Sequence, residues 1–324
     1  MDALSEVLRI ISLDSAIYFN AELTEPWCFL SPEAQTLAPI FVRGARHVII
    51  FHFLDAGRAF IHAEGGERVE LRAGDIVSFP HGHGHRLGSG QDVTPVNVGE
   101  TLPDVLARGL ELIKIGGGGA GARLICGFIA CDPHLCQTFL GGLPPLIRVN
   151  IRDDPSGQWL ENSLQFSVTE AARGQAGSGA VVAKLSEVVF AETIRRYLRQ
   201  TPQGETGWLA AARDVEVGKA LALLHHRHAH PWTVAELAHE VGMSRTVLAE
   251  RFRQFLGEPP IAYLTRWRLR LGARALETTG HSVAQIAAES GYESEAAFNR
   301  AFKRAHGMPP ARYRRERAIQ RIQA

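Results

Sequence analysis

Histidines in the first half of the chain are spaced as they would be to hold a metal ion, and three cysteines cluster further along. His81, His83 and His85 alternate. On an extended strand alternate residues share a face, so three imidazoles would converge there. Zinc and iron sites combine such ligands with others from a second strand. His52 is the candidate second source, with His47 and His62 in the same neighbourhood. A divalent metal is therefore an optional occupant of this region and not a required cofactor. Cys126, Cys131 and Cys136 recur at five-residue intervals with His134 among them. That spacing lacks the CxxC pair of a structural zinc knot. It leaves three readings: small buried apolar side chains, a thiol switch, or a metal. No catalytic residue is assigned, and the chain is not expected to be an enzyme.

The last third of the chain carries a different chemistry, and it is duplicated. Val234, Ala235, Ala238 and Gly242 match Val283, Ala284, Ala287 and Gly291 at an offset of 49. Ser244, Phe252, Gly257, Pro259, Pro260 and Tyr263 match Ser294, Phe302, Gly307, Pro309, Pro310 and Tyr313 at an offset of 50. The change in offset places one extra residue in the second turn. Two copies are too few for a solenoid, so each copy is read as a helix-turn-helix hairpin. Val234, Leu237, Ala238 and Val241 form one apolar face. Gly242 ends that helix and Ser244 caps the next. The second helix is expected to bury Val247, Leu248, Phe252 and Phe255; its counterpart is expected to bury Ala297, Phe298, Ala301 and Phe302. Gly-x-Pro-Pro stops each hairpin. Between the copies, residues 261–277 read as one amphipathic helix with Leu264, Trp267, Leu271 and Ala275 on one side and Arg266, Arg268, Arg270 and Arg274 largely elsewhere. About 17 residues rise roughly 26 Å. With the width of the hairpins added, two recognition helices could lie about one DNA turn apart, roughly 34 Å.

The strings VGMSRTVLAERF and GYESEAAFNRAFKRAHGMPPARYR resemble the DNA-binding domain of the AraC/XylS family of bacterial regulators, over about Val217 to Arg315. The resemblance implies that the exposed faces of two recognition helices read base edges. By position these are Arg245, Thr246, Ala249 and Glu250, then Glu295, Ala296, Asn299 and Arg300. Ser244, Arg253, Ser294 and Lys303 complete the DNA-contacting set. Arg and Asn suit bidentate contacts to guanine and adenine. Arg251, Arg253, Lys303 and Arg304 are expected to meet phosphates or acidic helix partners. In the first half, Gly74, Pro80, Gly82 and His85 resemble the second motif of the cupin barrel, with Ser89 where Asn is usual. The first cupin motif is not recognisable. This region, with the MDALSEVL start and the CGF…LPPLIRVN stretch, is similar to the cupin-type sensor halves of some AraC/XylS regulators. Some such halves respond to oxidants, which is what gives Cys126, Cys131 and Cys136 a possible effector or redox role.

These residues need elements to position them. The fold class is multidomain: an N-terminal cupin-like antiparallel β-barrel and a C-terminal all-α tandem helix-turn-helix domain. Short apolar runs and Gly-rich breaks from about 40 to 100 indicate an antiparallel sandwich or barrel. Further strands are expected around 122–130 and 163–169, a break at 116–121, and a helix at 181–199 with Val181, Leu185, Val188, Val189 and Leu198 in its apolar stripe. The expected boundaries are 1–175 for the sensor, 176–216 for a helix and linker suited to dimerisation, and 217–324 for the DNA-binding domain, with hairpins at 233–255 and 282–306. Net charge is +1, yet residues 233–324 hold 15 Lys and Arg against 9 Asp and Glu. A basic end on an acidic body suits a polyanion partner. No apolar run approaches the roughly 20 residues of a membrane span, and MDALSEVLRI lacks a signal-peptide pattern. The expected setting is cytoplasmic, with double-stranded DNA as partner, a small-molecule or oxidant effector, a homodimer, no membrane, and RNA polymerase if the output is activation. The leading function is a one-component transcription regulator. The alternatives are a metal-dependent cupin enzyme fused to a DNA-binding module, and a DNA-binding protein whose barrel is purely structural.

Overall fold

A computed structural model describes residues 2–10, 13–41, 47–63, 65–90, 93–107, 112–131, 140, 142–200 and 207–323. In chain order the elements of the first part are α1 (Ala3–Ile10), β1 (Leu13–Thr24), β2 (Trp27–Ser31), α2 (Ala34–Phe41), β3 (His47–Ala56), β4 (Arg58–Ala63), β5 (Arg68–Arg72), β6 (Asp75–Phe79) and β7 (His85–Ser89). They continue with β8 (Val96–Asn97), α3 (Val98–Ala107), β9 (Ile113–Gly116), β10 (Gly121–Cys131), β11 (Ile147–Asn150), α4 (Gly157–Arg173) and α5 (Ser178–Gln200). The last part holds α6 (Trp208–Arg213), α7 (Val215–His226), α8 (Val234–Glu240), α9 (Arg245–Leu256), α10 (Pro260–Thr278), α11 (Val283–Glu289), α12 (Glu295–His306) and α13 (Pro310–Gln323). Two compact units result. Described residues 13–131 and 144–200 make one, and 2–10, 140, 142–143 and 207–323 make the other.

The first unit is built on two sheets, ordered β11-β6-β3-β10-β1-β9 and β5-β4-β7-β2-β8. β9 pairs parallel with β1 and β8 parallel with β2, and the other described pairings are antiparallel. Ile50, Leu54, Ile61, Val77, Leu87 and Leu124 belong to its core. The run HVIIFHFL is apolar almost without alternation because both faces of β3 are covered; residues 48–55 are all buried. On β1, Tyr18 packs its ring edge-on to Phe51 and bonds the Ser186 hydroxyl of α5 at 2.7 Å. Asp75, 1% exposed, accepts from the Arg72 backbone N–H at 2.8 Å, from Asn150 Nδ2 at 2.9 Å and from Arg148 at 2.8 Å. A buried carboxylate held this way is stable only while all its partners stay, so it ties β6 to β11.

Two expectations change here. Residues 163–169 are helical, inside α4, and not a strand. Leu164, Phe166 and Val168 alternate, but Gly157, Leu160, Leu164 and Ser167 are buried at helical spacing. The boundary at 175/176 also falls inside a unit. α5 packs on α4 and β1, burying Val182, Ser186, Val189 and Leu198. Val181 and Val188 of the expected stripe point outward, so that stripe divides between two faces. At the other end of the chain, α1 packs on α7 and so joins the helical unit.

The helical unit follows the repeat. Four residues separate α8 from α9 and five separate α11 from α12, so the extra residue sits in the second turn. Gly242 and Gly291 take φ of +75° and +80° in the two turns. Ser244 accepts from the Val247 N–H and Ser294 from the Ala297 N–H. Ser282 and Gln285 add a capping box at α11 that was not anticipated. The Gly-x-Pro-Pro element does two jobs. Gly257 and Gly307 close one helix in the left-handed region, and Pro260 and Pro310 begin the next, where a missing N–H costs nothing. Phe252 meets Tyr263 and Phe302 meets Tyr313, edge-on in both copies at 74° and 79°.

α10 has 19 residues, a rise of about 28 Å. Its first half buries Tyr263, Leu264 and Trp267. There the Tyr263 hydroxyl accepts from the Trp208 indole N–H at 2.9 Å and pairs with His225 Nε2 at 2.8 Å. Its second half places Leu269, Ala273 and Leu276 in a core with Ile286, Phe298 and Phe302. Removing the cap of the second recognition helix by Ser294→Ala should cost about 0.5–2 kcal/mol, read as a lower urea midpoint with an unchanged slope.

Candidate nucleic-acid interface

The recognition helices α9 and α12 each bury one side and leave the other free. Leu248 and Phe252 hold α9; Phe298 and Phe302 hold α12, all fully buried. Helical geometry then turns positions 245, 246, 249, 250 and 253 outward, and 295, 296, 299, 300 and 303 likewise. Arg245, Thr246, Glu250, Arg253, Glu295, Ala296, Arg300 and Lys303 are exposed, while Ala249 and Asn299 are half-buried on the same faces. Ser244 and Ser294 sit at the helix starts, with their hydroxyls engaged as caps. Their part at the interface is to aim the first turn and its backbone N–H groups. Glu295 reaches Asn299 one turn on at 3.5 Å, a long contact. Ala297, Ala301 and Phe255, expected inside, are half-buried. Val247 departs further. It is 43% exposed, because it lies to the side of the Leu248–Phe252 stripe, beside the reading face. The apolar pattern alone could not separate it from its neighbour Leu248.

Basic residues of the unit fall into two sets. Arg251 bridges Asp214 and Glu216, so it holds α9 to α7. Arg266 pairs with Glu258. Arg268 donates to the backbone carbonyls of His228 and His230 at 2.6 and 2.7 Å. Arg270 is largely buried, and burial pushes its guanidinium down to about 10. Arg314 donates to the carbonyls of Leu276 and His281, and Arg317 pairs with Glu277 at 3.1 Å. The arginine-rich bridge is therefore mostly internal glue. The contrasting set is Arg245, Arg253, Arg300 and Lys303, which form no ion pair among the described residues. On the recognition helices these, with the exposed Arg304 of α12, are the cations left for an external anion.

In the other unit, a chamber of about 120 Å³ is lined from both sheets and from α3. Gly82, at φ +68°, makes the turn ahead of β7; a Cβ there would stand 2.1 Å from that of Ala34. That turn delivers His85 to the start of β7. His52 and Cys126 are direct cross-strand partners on β3 and β10. His52 Nδ1 lies 2.9 Å from Cys126 Sγ, and His52 Nε2 lies 2.7 Å from His85 Nε2. His85 Nδ1 lies 2.9 Å from the His83 carbonyl oxygen. A carbonyl only accepts, so His85 Nδ1 carries the hydrogen. Burial holds His85 neutral, bringing it down to about 4. Its Nε2 is then an acceptor, His52 Nε2 donates, and His52 Nδ1 accepts from the Cys126 thiol. Burial, with His85 adding repulsion, also keeps His52 well below the usual histidine range, and burial pushes the Cys126 thiol up to about 12.

The expected histidine trio does not form. His81 and His83 lie in the turn before β7, so alternation along a strand never applies to them. Their rings contact each other at 5.5 Å. His47 binds the Pro80 carbonyl at 2.6 Å and His62 that of Gly66 at 3.0 Å. Among the described residues, no group of three His, Cys, Asp or Glu is placed to hold a metal ion. A cupin-type ligand set does not fit these residues, because both nitrogens of His52 and of His85 already have partners. The expected cysteine group is only partly visible. Cys126 lines the chamber, Cys131 ends β10, and His134, Cys136 and the Cys131 side chain lie outside the described residues.

The profile of a family described as Cupin matches residues 2–199, and that of a family described as a helix-turn-helix domain matches residues 237–316. A putative AraC-like transcription regulator of Streptomyces antibioticus is 32% identical, covering 97% of this chain and 99% of that protein. The HTH-type transcriptional regulator AlkR of Acinetobacter baylyi is 30% identical, covering 98% and 100%. The crystal structure of the DNA-binding domain of AdpA, in complex with a target DNA, is 30% identical, covers 34% of this chain and all of that one, and has a TM-score of 0.33. No helix among the described residues is long and apolar enough to cross a membrane.

Two outcomes follow from the geometry. Arg251→Ala should lower stability and leave the salt dependence of DNA binding unchanged, whereas Arg253→Ala should reduce the slope of log K against log salt by about 1. Salt titrations by fluorescence anisotropy would separate them. For pH, an unfolded histidine takes its proton near 6.5, and folded His85 does so only near about 4. Its contribution is complete above pH 6.5 and is lost as pH falls towards 4, at about 1.4 kcal/mol per pH unit. Folded His52 is shifted the same way. Urea midpoints of the β-rich unit should therefore drop between pH 7 and pH 5.

Proposed function

This chain belongs to the AraC-like transcription regulators, with a cupin half and a helix-turn-helix half, and we propose that its second hairpin supplies most of the direct base readout. It is a DNA-binding transcription regulator. The observation that carries the finer reading is the unequal equipment of two otherwise matched faces. α12 offers Asn299 and Arg300, both able to make bidentate base contacts. At the same positions α9 offers Ala249 and Glu250. Val247 adds an exposed apolar group on α9 suited to a thymine methyl. Arg253 and Lys303 would anchor phosphates, and exposed Arg245 leaves α9 one arginine able to reach a base. The length of α10 suits placing the two helices in successive major grooves on one DNA face.

In the same reading the cupin half is a sensor and not an enzyme, working without a resident metal. Its chamber favours a sensor over a structural scaffold, because a scaffold needs no cavity. Two chains would act together. Trp159 and Phe166 on α4, and Val181 and Val188 on α5, are 41–47% exposed, and each pair is seven residues apart on its helix. Apolar stripes of that kind suit helix pairing between protomers. Dimerisation would raise effective DNA affinity.

Arg300→Ala should cost about 1–3 kcal/mol at one base-pair position. Binding selection from a randomised pool would show that loss as one relaxed position; an even loss over all sequences would make Arg300 a phosphate contact instead. Light scattering at micromolar concentration should give a dimer for the parent and a monomer for Phe166→Glu with Val188→Glu. A monomeric parent would remove the dimer from the reading.

A further inference from the structure

We infer that the chamber of the cupin half binds one small, uncharged, largely apolar molecule of about ring size, carrying at most one hydroxyl or carbonyl, which Ser31 would meet. The inference gives the sensory reading above its ligand class, and it rests on that reading for its regulatory meaning.

The chamber walls carry the first part of the case. Phe19, Leu87, Leu102, Val105, Ile113 and Phe128 are among the lining side chains, and no Lys, Arg, Asp or Glu lines it among the described residues. Its volume of about 120 Å³ compares with the roughly 150 Å³ apolar cavity that takes benzene, or with about four waters at ~30 Å³ each. An apolar space of this size gives water few partners and suits an apolar occupant.

The polar floor carries the second part. Cys126, His52, His85 and the His83 carbonyl form a one-way hydrogen-bond chain in which each imidazole nitrogen is already engaged. Among the described residues a carboxylate would meet no cation here, an ammonium no anion, and a sugar too few partners for its hydroxyls. Each would lose its hydration without replacement. Ser31 is the exception. Its hydroxyl is buried with the residue 4% exposed, lines the chamber, and has only a 3.5 Å contact to the Pro32 carbonyl. Ser31 also pairs directly with His85 across β2 and β7. Among the described residues it is the one buried hydroxyl of the lining. The Thr101 hydroxyl, also in the lining but exposed, donates to the Asn97 and Val98 carbonyls at 3.3 and 3.4 Å. The ligand can therefore present one polar group and little more. Lining residues of β8 and α3 between Val96 and Val105, with Ile113 and Ile115 of β9, form one wall. An occupant would press on α3, the helix of that wall.

The test uses the full chain and four probes in saturation-transfer NMR: toluene, phenol, benzoate and glucose. Toluene and phenol should show transfer; benzoate and glucose should not. Ala21→Leu and Val105→Phe each fill the chamber from a different wall, and either should abolish both signals. Ser31→Ala should weaken phenol by ~2–10-fold and leave toluene unchanged. Failure of both neutral probes to bind overturns the inference. So does benzoate or glucose binding that the filled variants abolish, or toluene binding that survives in both filled variants. Promoter-DNA affinity measured alongside keeps the two readings apart. If toluene enters the chamber and DNA affinity does not move, the ligand class stands and the sensory reading falls. If benzoate or glucose enters it and DNA affinity moves, the sensory reading stands and this ligand class falls.

Discussion

Helix α10 is a member of two hydrophobic cores at once, and the DNA-binding half depends on that. Tyr263, Leu264 and Trp267 belong to the first hairpin's surroundings; Leu269, Ala273 and Leu276 belong to the second. Neither core can be completed without the same rod. A helix that must fill both has its rotation and register set from two ends, so the hairpins are fixed on it and not loosely strung. Gly272 shows how close the fit is: a Cβ there would stand 2.8 Å from the Phe298 ring. The interior of such a core tolerates neither voids nor extra volume. The positions of the two reading faces follow from this packing.

The same rod explains why net charge is a poor guide to the interface. A helix in two cores needs side chains that reach its flanks and close loose ends. Arg268 does this by donating to two carbonyls, Arg266 by pairing with Glu258, and Arg270 by burial. Those cations add to the formal charge without presenting it to a ligand. On the recognition helices those left outward, two on α9 and three on α12, are what a polyanion would find.

In the cupin half, the residues that could have made a metal centre face one another instead. His52 and His85 come from different sheets and meet across the interior at 2.7 Å. Held neutral by burial and ordered by the His83 carbonyl, they turn ligand-type side chains into a closed hydrogen-bond chain. The chamber next to them is left with apolar walls and little free polarity. On the proposed reading, such a chamber and an AraC-like DNA reader in one chain make a one-component device.

Much of this was legible in the sequence because it depends on local rules. The duplicated hairpins, their caps, the Gly-x-Pro-Pro joints and the extra residue in the second turn all follow from neighbours within a few positions. The strand-rich first half and the Pro80–Gly82–His85 turn were legible for the same reason. What needed tertiary structure was every question of which side of an element is covered, and by what. Val247 and Leu248 are adjacent and equally apolar, and only packing exposes one and buries the other. Residues 163–169 alternate like a strand, but the buried spacing of Leu160, Leu164 and Ser167 made them helix. His81, His83 and His85 alternate in the sequence, yet a left-handed glycine between the first two sends only His85 inward. The His52–Cys126–His85 chain joins residues up to 74 positions apart, and no local pattern encodes that. Sequence carries the period of each element; the choice of partner belongs to the whole core, because burial is a property of neighbours distant in the chain.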